Sequence, residues 1–402
     1  MKVVHVGYKY GLSNTGGAAI AATRLHNALL ERGIESHYVC VWKCEEGQNV
    51  HQLPRQSFVW RGLFSFLTKI TRGVWKFTTY RHSVPLNLIP LFGFDLLLKE
   101  IKPDVIHIHW INVDVISFGQ LKRLKHCKVV VNLHDLFMVN IIAPHPQRDR
   151  RYIEGVTYRN ASWLERWLFN RKSRAIRACR PVFIGPSQWV KLCSQESIIG
   201  RDFPTYAISN VIDDRFRYDA QLRNRHKKFI ILFGAYGGRR NPAKGFTDLN
   251  MAMSLLPKEI KEGCELWIFG EDSKEVSTGG VPTRFKGNVS AQALVNLYHM
   301  ADVFAFPSKD ETQGMTKVEA LLCGLPVVAF DRTACAEGIV SGVSGWVAVD
   351  GDIESFAHGI SYFYRKWHNN EINHSDIAEY ARRMYDTDGI VKSIVKVYNG
   401  RP

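Results

Sequence analysis

The chain lacks several features that would have assigned it quickly. Its 8 cysteines include no CxxC pair, which argues against a disulfide frame and for reduced thiols in a cytoplasmic setting. Its longest apolar run, SVPLNLIPLFGFDLLL at 83–98, is interrupted by Pro85, Asn87, Pro90 and Asp95. It is too short and too broken to span a bilayer. The opening MKVVHVG reads as a strand rather than a signal peptide. Tandem repeats, low-complexity tracts, a helix-turn-helix, an RRM and a zinc pattern are all missing, which counts against a nucleic-acid-binding protein. Neither GxGxxG nor GxxxxGK[ST] occurs, so the dinucleotide fingerprint and the Walker A loop are excluded.

A basic globular chain remains. With 402 residues the natural expectation is two domains, and 46% hydrophobic against 23% charged residues suits packed cores. The net charge of +15 calls for acidic partners: nucleic acid, anionic lipid or phosphorylated small molecules. Much of the charge falls in two blocks, 55–81 and 148–180.

Apolar strands alternate with amphipathic helices twice over, the pattern of parallel α/β sheets. In the first half KVVHVG (2–7), SHYVCVW (36–42), DVIHIHW (104–110), KVVVNLHD (128–135) and VFIGPS (182–187) read as strands, with a helix over 18–33. The pattern restarts with strands KKFIILFGAY (227–236), ELWIFG (265–270) and DVFAFP (302–307), helices at 247–256 and 291–301 between them. The polar segment 208–228 reads as a linker. The expected fold is α/β, two doubly wound Rossmann-like domains facing each other across a cleft.

In such sheets ligands bind beyond the carboxyl ends of strands, where helix N-termini favour anions. Three loops hold that position. YKYGLSNTGGAA (8–19) carries Gly16 and Gly17 before a helix, with an ordinary turn as the alternative. GAYGGRRNPAKGF (234–246) sets Arg239, Arg240 and Lys244 among glycines, equipment for a diphosphate or simply a solvated basic turn. In PSKDETQGMTKVEALLCGLPVVAF (307–330) a loop holds Glu311, and a helix from Met315 holds Glu319. On one helix the two would stand about 12 Å apart and roughly 80° around the axis. That suits no glycosidase carboxylate pair, but it does suit one extended ligand touched at two points.

The stretch P-S-x-x-E-x-x-G-x-x-x-x-E-A-x-x-x-G-x-P-V-V resembles the signature of retaining GT-B glycosyltransferases of family 4. GGAAIAATRLHNALLERG, KPDVIHIHWIN, NLHDLF, GPSQW, ISNVIDDRF, AKGF and FKGNVSAQALVNLYHMADVFAFPS follow the same family in order. The resemblance implies that Glu311 reaches hydroxyls of the donor sugar and Glu319 the ribose. Backbone around Gly314, Met315 and Thr316 would meet sugar and phosphate. Lys244 with Arg239 or Arg240 (Arg239 preferred by spacing) would bind the diphosphate, and Gly16 and Gly17 would approach it. Gly287 and Val289 would meet the base. His134 would lie near the reacting centre, with Asp135 as acceptor contact or base.

The implied protein is a cytoplasmic hexosyltransferase, metal-independent, with a UDP- or GDP-sugar as donor substrate and no separate cofactor. Its acceptor would be a glycan, such as a lipid-linked envelope polysaccharide precursor, reached at the inner face of the plasma membrane. The expected domains are 1–212, 213–385 and a C-terminal helix in 386–402 returning to the first. A basic, aromatic insert at 57–92 would touch anionic membrane or merely pack.

The sequence also departs from the family. LFMVNIIAPHP follows NLHD where relatives carry Gly-Gly-Cys-His. The usual aromatic after Glu311 is replaced by Thr-Gln-Gly, with Gln313 facing the donor region, and Ala334 and Cys335 stand where two glycines are usual, although Glu337 survives. A catalytically silent GT-B binding protein is therefore the alternative. His107 and His109 read as core histidines rather than a metal pair. Asp350 and Asp352 mimic a DxD motif, and Asp352 reads as a helix cap.

Overall fold

The computed structural model describes residues 1–12, 15–53, 87–88, 93–111, 115–140, 151–223, 226–234, 239, 241–273 and 277–400. Apart from residues 87 and 88, the insert at 57–92 lies outside them, as does Arg240. The chain divides into two compact units, Met1–Val211 with Ile390–Pro402, and Ile212–Gly389.

The first unit holds a seven-stranded sheet of β1 (Lys2–Tyr10), β2 (Glu35–Lys43), β3 (Val50–Gln52), β4 (Val105–Ile108), β5 (Lys128–Asn132), β6 (Val182–Gly185) and β7 (Thr205–Ala207). Their spatial order is 3-2-1-4-5-6-7, and every pairing is parallel. Such strands are buried on both faces, which explains why VVHV, VIHI and KVVVN are near-continuous apolar runs. One face is closed by Ile390, Val391, Ile394 and Tyr398 of the last helix, Thr387–Tyr398, with Val3 and Val105.

The second unit repeats the plan with β8 (Phe229–Gly234), β9 (Cys264–Phe269), β10 (Ser277–Thr278), β11 (Val281–Phe285), β12 (Val303–Phe306), β13 (Val327–Phe330) and β14 (Gly345–Ala348). The order is 10-11-9-8-12-13-14, parallel except for β10 against β11. Each sheet reverses direction once, between β1 and β4 and between β8 and β12. These are the switch points at which doubly wound sheets take ligands.

The segment 208–228 is more than a linker. Ile212 and Phe216 are core residues of the second unit, and Arg223 reaches Asp302 at 3.6 Å. The short strands β3, β7 and β10 leave too few residues for an alternating pattern to register. All 8 cysteines are free thiols.

Candidate active site

In the second unit the carboxyl ends of β8, β9 and β12 bring together groups far apart in sequence. Lys244 Nζ lies 2.6 Å from Glu311 Oε1, so the AKG loop after β8 and the loop after β12 meet through an ion pair. Burial works against the Lys244 ammonium, yet Glu311 beside it outweighs that cost and its pKa moves upward. Glycine is required at 245: φ is +71°, and a Cβ would lie 1.9 Å from the carbonyl oxygen of Pro307. The backbone crossing that seats Lys244 is thus too tight for any side chain. Arg239 is held by Glu271, which follows β9. Its backbone N–H donates to Glu271 Oε2 at 3.0 Å, its guanidinium pairs with Oε1, and Phe246 and Phe285 flank it.

The helix Met315–Leu322 begins at Gly314, whose φ is +76° and whose Cβ would strike the Phe306 ring at 2.7 Å. Glu319 is buried on it, with the Tyr298 hydroxyl 3.5 Å from Oε2. The same hydroxyl donates to the Thr316 carbonyl at 3.1 Å. Gln313 is buried, Met315 packs against the core, and Val289 does so after β11. Gly287 accepts from the Gly270 N–H at 2.8 Å with φ +65°.

A second loop, after β13, fastens Glu311. The Glu311 N–H donates to Thr333 Oγ1 at 3.2 Å, and Ala334 N–H donates to the Glu311 carbonyl at 3.3 Å. Thr333 sits at φ +48°, a strained choice for a β-branched residue. The loop is tied from beneath by Lys317, 1% exposed, whose ammonium donates to the carbonyls of Ala334 and Glu337 at 2.7 Å each. Burial lowers its pKa to about 8, with Cys335, Glu337 and Glu311 pulling the other way. Ala334 and Cys335, odd in the sequence, therefore belong to a loop braced by a lysine rather than to a glycine turn.

In the first unit the groups after β4 and β5 converge. Asp135 Oδ2 accepts from Trp110 Nε1 at 2.9 Å, and Oδ1 accepts from the Phe137 N–H at 2.9 Å. His134 Nε2 lies 3.0 Å from His109 Nδ1, and His109 Nε2 lies 2.8 Å from His5 Nδ1, forming a chain of three imidazoles. Burial lowers the pKa of all three, so the chain is neutral. His107 pairs with the Tyr398 hydroxyl at 2.6 Å. Lys172 is buried, donates to the carbonyls of Phe137 (2.6 Å) and Asn140, and is pulled down to about 7 by burial, against Asp135.

Gly16 caps the helix Gly17–Glu31 at φ +93°, beside a pocket of about 310 Å³ lined by Tyr8, Gly17, His109 and Trp110 among others. Ligand atoms of His5, His107 and His109 lie within 4.8 Å of one another, and a cation could gather them. The hydrogen bonds of the chain already occupy His109 on both nitrogens. Asp352 accepts from the Ser355 N–H at 2.8 Å as a helix cap, and Asp350 pairs with Arg332.

Sequence reasoning missed Glu271, Lys317, Thr333, Lys172 and Trp110. Two of them left a signal. Lys172 and Lys317 each stand at a position of a helix whose i±3 and i±4 neighbours are buried, a place where a solvated lysine is out of register.

Residues 214–384 match the model for glycosyl transferases group 1, and residues 15–195 match that for glycosyltransferase family 4. The chain belongs to the group 1, family 4 type of glycosyltransferases. Among relatives, it is 37% identical over 293 residues to the sulfoquinovosyl transferase SQD2 of Arabidopsis thaliana, covering 68% of this chain and 52% of that protein. It is 32% identical over 134 residues to the O-antigen chain mannosyltransferase B of Escherichia coli, 31% of this chain and 35% of that one. It thus spans about half, or less, of the length of these relatives. Among solved structures, Anabaena HepE in complex with UDP and glucose superposes with a TM-score of 0.63 at 17% identity, covering 100% of both chains. At that identity the likeness is one of fold: GT-B, with two Rossmann-like domains.

Proposed function

We propose that the protein is a retaining glycosyltransferase that moves a sugar from a nucleoside-diphosphate sugar to a hydroxyl of a glycan acceptor. The observation that carries this reading is the Lys244–Glu311 pair, set on two switch-point loops with Arg239 close in sequence. Departure of a nucleoside diphosphate puts negative charge on the β-phosphate. Lys244 and Arg239 are the cations placed to stabilise it, so the reading is metal-independent. Glu311 keeps the lysine oriented while no phosphate claims it. Once a phosphate does, Glu311 is released to accept from hydroxyls of the donor sugar. Glu319, on its helix, takes the ribose, and His134 and Asp135 serve the acceptor side. The complex of HepE with UDP and glucose supports a UDP-sugar as donor. The O-antigen chain mannosyltransferase supports an envelope polysaccharide as the class of acceptor, and a lipid-linked precursor is the form we propose for it.

Calorimetry with UDP and GDP, followed by turnover of the matching sugars, tests the assignment. Lys244→Ala should weaken nucleotide affinity roughly 10- to 100-fold, as loss of a charged hydrogen bond does. Glu311→Ala should keep nucleotide affinity and abolish transfer. Turnover retained in Glu311→Ala would remove the catalytic role, and a Glu311→Ala protein that binds while wild type turns nothing over would favour the silent binding protein.

A further inference from the structure

The basic block at 148–180 stands out in the sequence by its charge, and the proposed transfer chemistry uses none of it; Lys172 braces the loop after Asp135. Its core is the helix Trp163–Cys179, opened by Ser162 in a capping box with Glu165. The helix has two faces. Leu164, Leu168, Phe169, Ala175, Ile176 and Cys179 are buried. Trp163, Trp167, Arg171, Arg174 and Arg177 fall on the opposite arc, about 120° wide at 100° per residue. Trp163 is 68% exposed, Trp167 45%, and Tyr158, just before the helix, 71%. Trp163 and Trp167 stand one turn apart on that arc, with a third exposed ring just before it in sequence, and large aromatics grouped in this way mark a partner.

The charges say which kind. The helix contains one carboxylate, Glu165, and that one is buried and turned to Arg151 at 3.5 Å. Arg177 is neutralised by Asp202. Among the described residues no carboxylate pairs with Arg159, Arg171 or Arg174. Two of these arginines stand over the exposed rings: Arg159 lies 5.5 Å from the Tyr158 ring centre and Arg171 5.6 Å from that of Trp167. Amphipathic aromatics interleaved with arginines that no described carboxylate answers, along one exposed helix face, fit a flat anionic surface. Single-stranded nucleic acid calls for a groove with aromatics that stack its bases, whereas the arginines and rings here share the outward arc of one helix. Trp and Tyr settle at the headgroup level of bilayers, while arginines hold acidic headgroups.

We infer that the Tyr158–Arg174 surface docks the protein peripherally on an anionic lipid membrane. Among the described residues no helix is long and apolar enough to cross a membrane, and a helix buried on one face with rings and arginines on the other would lie in the interface. The inference goes beyond the transferase reading and stands without it, because lipid binding is measured with no sugar donor present.

The test is sedimentation of the full chain with phosphatidylglycerol vesicles and with phosphatidylcholine vesicles. Wild type should bind the first, fail to bind the second, and be released as salt shortens the screening length. Arg171→Glu with Arg174→Glu should cut partition well over tenfold, at roughly fivefold or more per charge. Trp163→Ala with Trp167→Ala should cut it roughly tenfold. A matched pair on the other unit, Arg382→Glu with Met384→Ala, should change nothing. Fluorescence quenching by brominated phosphatidylglycerol should fall in Trp163→Phe with Trp167→Phe, a variant that keeps the aromatic packing. Wild type that ignores phosphatidylglycerol, binding left unchanged by all patch variants, or retention by single-stranded DNA in place of vesicles would each overturn the inference.

Discussion

The two units share a sheet order and a switch point, yet they equip their strand ends in opposite ways. The second unit uses charge: Lys244 with Glu311 and Arg239 with Glu271, each cation answered by a carboxylate from another strand end. The first sets three neutral imidazoles in a chain beside a single aspartate pinned by an indole N–H and a backbone N–H. Paired charges would keep the proposed phosphate-binding cations oriented before a ligand arrives, because an unanswered buried cation costs several kcal/mol. Hydrogen-bonding groups of this kind would suit the hydroxyls of the proposed acceptor. One device is common to both: a buried lysine in a helix, donating to two carbonyls of the loop that carries or fastens a site residue. Lys317 does this for the loop on Glu311, and Lys172 for the loop after Asp135.

That contrast can be broken or sharpened, beginning with the largest effect. Gly245→Ala forces a Cβ into the Pro307 carbonyl at a left-handed φ, so the second unit should lose at least about 3 kcal/mol in denaturant unfolding. A tolerated alanine would mean that the backbone crossing seating Lys244 is loose.

Lys317→Met leaves two carbonyls without their charged donor and should cost about 2–3 kcal/mol. It should lower turnover more than nucleotide affinity, because Glu311 is reached through Thr333 and Ala334. Lys172→Met should leave nucleotide affinity alone and affect acceptor use; equal effects of the two lysines on UDP binding would erase the division of labour.

Acid should act on the first unit through its histidines. Burial lowers His107 to about 3 and His26 to about 4. Since the unfolded chain titrates near 6.5, it binds more protons than the folded one between those values. Stability is therefore full above about pH 6.5 and falls toward pH 4, by about 2 kcal/mol per such imidazole at pH 5. Melting at pH 7 and pH 5 reads this directly, and His107→Gln should shrink the loss; a flat profile would mean that the imidazoles are solvated. At the small end, Lys258→Ala removes an exposed pair with Glu262 and should change stability by no more than about 0.5 kcal/mol.

Much of this was legible in the residues. β8, β9 and β12 announced themselves as apolar runs ending at glycine, proline or a charged loop, and the helix from Met315 by its apolar spacing. The 311 and 319 glutamates separated into a loop group and a helix group for the same reason. Asp352 was readable as a cap because a cap is a local hydrogen bond, three residues long. Glu271 was not readable, since its partner lies 32 residues away and nothing in LWIFGED distinguishes a counter-ion from a solvated acid.

The division is physical. Strand and helix periodicity, turn glycines and caps depend on neighbours within a few residues, so the sequence by itself determined two parallel α/β units, the loops that carry Lys244 and Glu311, and the family. Which carboxylate answers which cation, which lysine is swallowed by the core and which histidines stack into a chain depend on strand order. Strand order brings residues 5, 109 and 134, or 244, 311 and 333, within hydrogen-bond reach only after the sheets close. Those choices belonged to the tertiary structure, because electrostatics and burial act on distance in space and not along the chain.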